Sequence, residues 1–108
     1  MTAFEERERA FEKKFAIEEE LNFRIEARRT KLLGEWAAAK LNLTGPAVGE
    51  YIRELTRVQV TRGREGVFEK LMSDFEANGV GVTAYELRKM SLEFQLWAAK
   101  DIKAEPNL

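Results

Sequence analysis

The sequence predicts a small all-α protein, a four-helix bundle whose first helix is longer than the other three. Glutamate occurs 17 times against two aspartates, and the 108 residues include only two prolines and two serines. These residue types favour helices over strands and turns. Apolar residues recur at helical spacing in four segments, which glycines or prolines separate. A chain of this length is expected to form one domain.

The first helix is predicted from about residue 3 to about residue 41. Thr2 is a suitable N-cap, and Glu5 three residues later completes the pattern of a capping box. No helix breaker occurs before Gly34. One face of this helix carries eight apolar side chains, namely Phe4, Phe11, Phe15, Leu21, Ile25, Leu32, Leu33 and Trp36.

The second helix is predicted to begin after Thr44, which is a suitable N-cap. Pro46 suits the first turn because an N–H at that position would have no partner in the helix. Gly63 is expected to end this helix. Its apolar residues at helical spacing are Val48, Tyr51, Ile52, Leu55 and Val58.

The third helix is predicted from about residue 65 to residue 78. Asn78 and Gly79 form a stop signal, because glycine readily adopts the left-handed conformation found after helix ends. The apolar face of this helix consists of Val67, Phe68, Leu71, Met72 and Phe75.

The fourth helix is predicted from Thr83, with Glu86 as its capping-box partner, to about Lys103. Its apolar residues cover a wide arc, which predicts burial on more than one side. They are Leu87, Met90, Phe94, Trp97 and Ala98 on one face, with Leu92, Leu96 and Ala99 beside them. The residues Trp36, Trp97, Met72 and Met90 are expected in the core.

The first helix is too long for the bundle to cover. It would measure about 58 Å, whereas the other helices would measure about 20–30 Å. Residues 1–19 therefore have no predicted partner within the chain. We expect a partner-binding segment at 1–19, the bundle at 20–104 and a short tail at 105–108.

Three phenylalanines, Phe4, Phe11 and Phe15, share one face of this segment and are poorly placed in solvent. In one interpretation they anchor a helix in a groove of a second protein, where Arg7 and Lys14 contact acidic groups. In another, the segment bends near the glutamates at 18–20 and packs back on its own bundle. In a third, it is disordered when free and becomes helical on binding.

Composition excludes several function classes. The chain has no cysteine and no histidine, so it cannot form disulfides, thiolate zinc sites or imidazole-dependent catalytic triads. We expect no enzyme activity, no metal site and no cofactor. The net charge of −1 argues against a nucleic-acid or membrane-surface binder. No apolar run suggests a membrane span or a signal peptide, so a cytoplasmic protein is expected.

Two short basic runs are candidate sites for an anion such as the phosphates of an adenine nucleotide. The first run contains Arg28, Arg29 and Lys31, and the second contains Arg62 and Arg64. A helical binding module for a nucleotide or another small anion is therefore one candidate function. Solvated, salt-bridged helix faces are the more common origin of such runs.

Three stretches carry a family resemblance. They are FEERERAFEKKFA at 4–16, FRIEARRTKLLGEWAAAKL at 23–41 and DFEANGVGVTAYELRK at 74–89. In this order and spacing, and over nearly the whole chain, the sequence resembles the zeta subunit of alphaproteobacterial F1 ATPase.

The resemblance implies a regulatory inhibitor of ATP hydrolysis that is built as a four-helix bundle. In this family the N-terminal segment enters a catalytic interface between the α and β subunits of F1, near the rotor shaft formed by γ. A cytoplasmic location at the inner membrane, through the F1 sector, is implied as well. The resemblance also implies which residues contact the partner. The matching residues are Phe4, Arg7, Glu8, Arg9, Phe11, Lys14 and Phe15.

Overall fold

The computed structural model describes residues 2–105, which form three α-helices and no β-strand. The helices are α1 (Ala3–Lys40), α2 (Pro46–Ala77) and α3 (Ala84–Ala104). The all-α prediction is confirmed, whereas the prediction of a four-helix bundle is wrong. The molecule is elongated and measures 63 × 25 × 22 Å. Most of the predicted tail, residues 106–108, lies outside the described residues.

Helix α1 begins and continues as the local sequence predicts. The Thr2 side chain accepts a hydrogen bond from the Glu5 N–H, and the Glu5 side chain accepts one from the Thr2 N–H. This capping box pairs N–H groups that the first helical turn leaves unsatisfied. The helix runs without a break through the glutamates at 18–20 to Lys40, a length of 38 residues.

Helix α2 begins at Pro46, but its N-cap is Gly45 rather than the predicted Thr44. Gly45 has φ 61° and ψ −139°, a backbone conformation that residues with a Cβ rarely adopt. The helix therefore starts without a side-chain cap. Pro46 reduces the free-energy cost of the missing cap, because it has no N–H that would need a partner.

Gly63 explains why three helices form where four were predicted. Its φ of 69° and ψ of −163° interrupt the helix, but helical structure resumes directly and no loop separates the two arms, 46–62 and 64–77. Glycine permits this positive φ because it has no Cβ. The arms pack against each other, and the Tyr51 hydroxyl donates a 2.7 Å hydrogen bond to the Asp74 carboxylate.

The ends of α2 and α3 follow the predicted signals. Asn78 is the C-cap of α2, and Gly79 has a φ of 67°. The Thr83 side chain accepts a hydrogen bond from the Glu86 N–H at 3.1 Å and so caps α3. Helix α3 ends at Ala104, one residue beyond the predicted end.

The main core lies where the second half of α1 packs against both arms of α2 and against α3. The Trp36 ring meets the Phe75 ring edge-on, with 5.6 Å between their centroids. A second cluster of Ile25, Ala98 and Ile102 closes the end of this core. The buried residues of the main core are Leu33, Ala37, Tyr51, Leu55, Val67, Leu71, Phe75, Val82, Leu87 and Phe94.

Helix α3 is covered on one side only, so the prediction that it is buried on more than one side is wrong. Leu92 and Leu96 are 62% and 61% exposed, and Trp97, predicted in the core, is 58% exposed. The predicted core residue Phe94 is buried. The difference arises because α3 packs extensively against α1 but hardly against α2.

Candidate functional site

The candidate site is the first half of α1, residues 3–20, which we call the projecting segment. Every residue in it is exposed. The remainder of the described chain, residues 21–105, is called the body. At the end of the body next to the projecting segment, Arg24 on α1 pairs with Glu105, the residue directly after α3. At 1.5 Å per residue, the projecting segment extends about 27 Å beyond this point.

The three phenylalanines of the projecting segment continue the core-facing stripe of α1. Phe4, Phe11 and Phe15 are 74%, 70% and 57% exposed. At 100° per residue they lie on the same side of the helix as Ile25 and Leu33, which are buried in the body. The apolar stripe thus runs past the end of the structure that covers it.

Charged residues flank these rings on both sides. At helical spacing, Arg7 and Lys14 lie along one edge of the stripe and Glu8 along the other. Arg9 lies on the opposite face, so the structure does not place it with the other six predicted partner-binding residues. Within residues 2–105, none of these charged side chains forms an ion pair with its own chain. The segment does not bend back on the body, because α1 continues straight through 18–20.

Arg29, from the first basic run, is part of the interior. It is only 1% exposed, and its guanidinium lies 2.6 Å from the Glu26 carboxylate. It also donates hydrogen bonds to the side-chain oxygens of Gln59 at 3.2 Å and Gln95 at 3.3 Å. Burial lowers the pKa of Arg29 from its ordinary value, and the Glu26 carboxylate opposes this shift. The guanidinium stays charged even so, because its ordinary pKa lies far above neutral pH.

The other candidate anion-binding residues do not converge on one place. Arg64 joins Arg29 at Glu26, with an N···O distance of 2.5 Å. Arg62 pairs with Glu69 at 2.5 Å. Arg28 pairs with Glu105 at 2.9 Å and with Asp101 at 3.7 Å, while Lys31 is exposed on α1. Four of the five candidate cations are therefore already paired with carboxylates of this chain.

Sequence reasoning missed the polar cluster around Arg29. One signal was available, because Arg29 lies four residues after Ile25 and four before Leu33, on the core-facing stripe. The partners Gln59 and Gln95 come from α2 and α3, so no local pattern could identify them.

Two features are absent from the part of the chain that the structure describes. No group of three or more acidic residues is arranged to hold a metal ion. None of the three helices combines the length and the apolar character needed to cross a membrane.

The sequence matches a known family along almost its entire length. A family model described as ATPase inhibitor subunit zeta matches residues 1–103. No curated protein matches the sequence.

Proposed function

Since the chain belongs to the ATPase inhibitor subunit zeta family, as its sequence resemblance predicted, we propose that it inhibits ATP hydrolysis by an F1 ATPase. The projecting segment enters a catalytic interface between the α and β subunits, near γ. The body stays outside and holds the segment as a helix. The partner-binding residues are the six on one side of the helix, Phe4, Arg7, Glu8, Phe11, Lys14 and Phe15.

The observation that supports this proposal most strongly is the uncovered stripe of Phe4, Phe11 and Phe15. Burying one phenylalanine side chain contributes about 1.5–3 kcal/mol. Three anchors on one face therefore provide several kcal/mol of binding free energy. A groove lined by apolar side chains on the partner is the complementary surface.

The continuity of α1 reduces the cost of binding. A separate helix of 18 residues is marginal in water, because forming its first turn is unfavourable. Here residues 21–40 are already helical in the body, so the projecting segment only extends an existing helix. A preformed helix loses less conformational entropy on binding than a disordered segment does.

Inhibition follows from binding one state of the motor more tightly than another. A rotary ATPase must open and close each catalytic interface in every cycle. A helix that binds one conformation of the interface preferentially adds its differential affinity to the barrier for leaving that conformation. A helix that bound all conformations equally would not stall the motor.

The test compares Phe15→Ala with Ile17→Ala in ATP hydrolysis by a cognate F1. The two side chains are 57% and 56% exposed but lie on different faces of the same helix. We expect Phe15→Ala to raise the half-inhibitory concentration about 10- to 100-fold, the equivalent of one lost anchor. Ile17→Ala should change it by less than about threefold. Equal effects would show that the phenylalanine face is not the binding face.

Deletion of residues 1–19 provides the second arm of the test. The truncated chain should keep its unfolding midpoint, because none of the described residues removed is buried. Its circular dichroism should lose only the helical signal of the residues removed. It should no longer inhibit. Full inhibition by the truncated chain would place the inhibitory surface on the body instead.

A further inference from the structure

A cavity of about 190 Å³ lies between the second arm of α2 and α3. It forms because α1 packs against both helices, whereas α2 and α3 pack little against each other. Phe68 and Leu92 line it together with two exposed arginines. Arg64 donates a 3.1 Å hydrogen bond to the side-chain oxygen of Gln95, and Arg88 lies over the Phe68 ring, 3.9 Å from its centroid. Its floor consists of the buried side chains of Leu33, Val67, Leu71 and Leu87.

The cavity has the size to accept an aromatic ring, and its apolar floor is bordered by the polar side chains of Arg29, Ser91 and Gln95. An apolar protein cavity of about 150 Å³ holds a benzene molecule. Leu92 and Leu96, one helical turn apart on α3, extend the apolar surface away from the cavity and are 62% and 61% exposed. A helix with two rings one turn apart would match this spacing, and Phe11 and Phe15 are one turn apart on the projecting segment.

Charge is divided unevenly between the two parts of the chain. The projecting segment carries seven glutamates and four basic residues, a net charge of −3. The body carries 14 basic and 12 acidic residues, a net charge of +2. Arg64 and Arg88 lie at the mouth of the cavity, where they pair with Glu26 and Glu65. The net charges of the projecting segment and the body are opposite in sign, which favours contact between the segment of one molecule and the body of another.

We infer that this cavity and the adjoining leucines form a docking groove for the projecting segment of a second copy of this chain. Phe11 fills the cavity and Phe15 lies on the leucine surface. Glutamates of the segment compete with Glu26 and Glu65 for Arg64 and Arg88. Lengths agree, because the segment is about 27 Å long and α3, with 21 residues, is about 31 Å.

The geometry favours docking of the segment on a second molecule over docking on the body of its own chain. The cavity lies beside Leu33, 13 residues after the segment ends, and α1 continues straight away from it. In a two-fold pair, each molecule provides one segment and one groove, so two identical contacts form. The two docking rings, Phe11 and Phe15, together expose roughly 200–300 Å². Two such contacts, counted on both of the surfaces that meet, bury about 800–1,200 Å². This area does not exceed about 1,200 Å², the lower limit for stable specific interfaces, so the dimer is expected to be weak.

Self-association would hide the same rings that the proposed function assigns to the ATPase. This consequence, unlike the dimer itself, rests on the proposed function. At concentrations where dimers form, each added molecule should inhibit less than it does at low concentration, because segment and groove occupy each other.

The test measures the mass of the full chain by sedimentation velocity, without any ATPase, from micromolar to millimolar concentration. We expect the mass to rise towards that of a dimer. Leu92→Glu should weaken association at least tenfold, because it places a carboxylate against the acidic segment. Val60→Glu is the matched control, since Val60 is 70% exposed on the body but does not line the cavity. Circular dichroism establishes that both variants are folded.

Mixing two variants identifies the surfaces that meet. Phe11→Ala keeps the groove intact and Leu92→Glu keeps the segment intact, so a mixture should associate more strongly than either variant alone. A chain that remains monomeric at millimolar concentration would overturn the inference. Dimers that Leu92→Glu does not weaken would overturn it as well, because they would indicate pairing between two segments.

Discussion

Glu26→Ala tests how much of the protein's stability depends on the carboxylate that pairs with the buried Arg29. Arg29 is 1% exposed, and among residues 2–105 only Glu26 forms an ion pair with it, at 2.6 Å. Removing this carboxylate leaves the Arg29 charge buried beside Arg64, with only the neutral oxygens of Gln59 and Gln95 to accept its hydrogen bonds. Breaking a buried pair in this way costs about 3–5 kcal/mol. That is a large part of the total stability of a small domain, which is about 5–15 kcal/mol.

The assay is urea unfolding followed by far-UV circular dichroism, with Glu69→Ala as the matched control. Glu69 pairs with Arg62 at 2.5 Å, but both side chains are more than half exposed. Losing this pair should cost less than about 1 kcal/mol. A double variant, Glu26→Met with Arg29→Met, should recover much of the lost stability, because no buried charge remains. Equal losses for Glu26→Ala and Glu69→Ala would refute the reasoning.

Three further predictions concern the bent helix and its packing. Gly63→Ala should lower the free energy of unfolding by about 1–2 kcal/mol and so lower the thermal midpoint, because a φ of 69° strains any residue with a Cβ. Gly81→Ala is the control, since a Cβ there would meet open space, and an equal loss of stability would contradict this reasoning. Gly34→Ala should lower the free energy of unfolding in urea by about 1–3 kcal/mol, because the new Cβ would lie 2.9 Å from Ile52 Cγ1. An unchanged urea midpoint would show instead that α1 and α2 move apart at no cost. Burial, and then the hydrogen bond to a carboxylate, raise the pKa of Tyr51, so the stability it contributes is present below pH about 10 and is lost above it. Urea midpoints measured from neutral to strongly alkaline pH should fall less for Tyr51→Phe than for the unmodified chain, and parallel curves would argue against this assignment.

Local signals predicted most helix ends well, although the N-cap of α2 is Gly45 rather than Thr44. The Thr2–Glu5 capping box, the Asn78–Gly79 stop and the Thr83 cap all depend on residues within a few positions of each other. Gly63 was predicted to end its helix, whereas in the structure it bends α2 without ending it. Whether the chain then forms a loop or resumes the helix depends on how the two arms of α2 pack, and this is where the prediction of four helices was wrong.

Burial was harder to predict than helix boundaries. The apolar arc of α3 includes Leu92, Leu96 and Trp97, and the sequence shows no difference between these residues and the buried Leu87 and Phe94. Only the position of α1 decides which of them are covered. The partner-binding role of the phenylalanines stays a prediction, while their exposure is a property of the structure.

The sequence by itself determined that this protein is helical and that its first helix is too long for the rest of the chain to cover. Helix formation depends on backbone hydrogen bonds and dihedral preferences within about four residues, so local sequence is sufficient for it. Only the tertiary structure decided that Arg29 is enclosed by Glu26, Gln59 and Gln95, and that a cavity opens between α2 and α3. These features depend on side chains that are far apart in the sequence, and their burial is settled only when the helices pack.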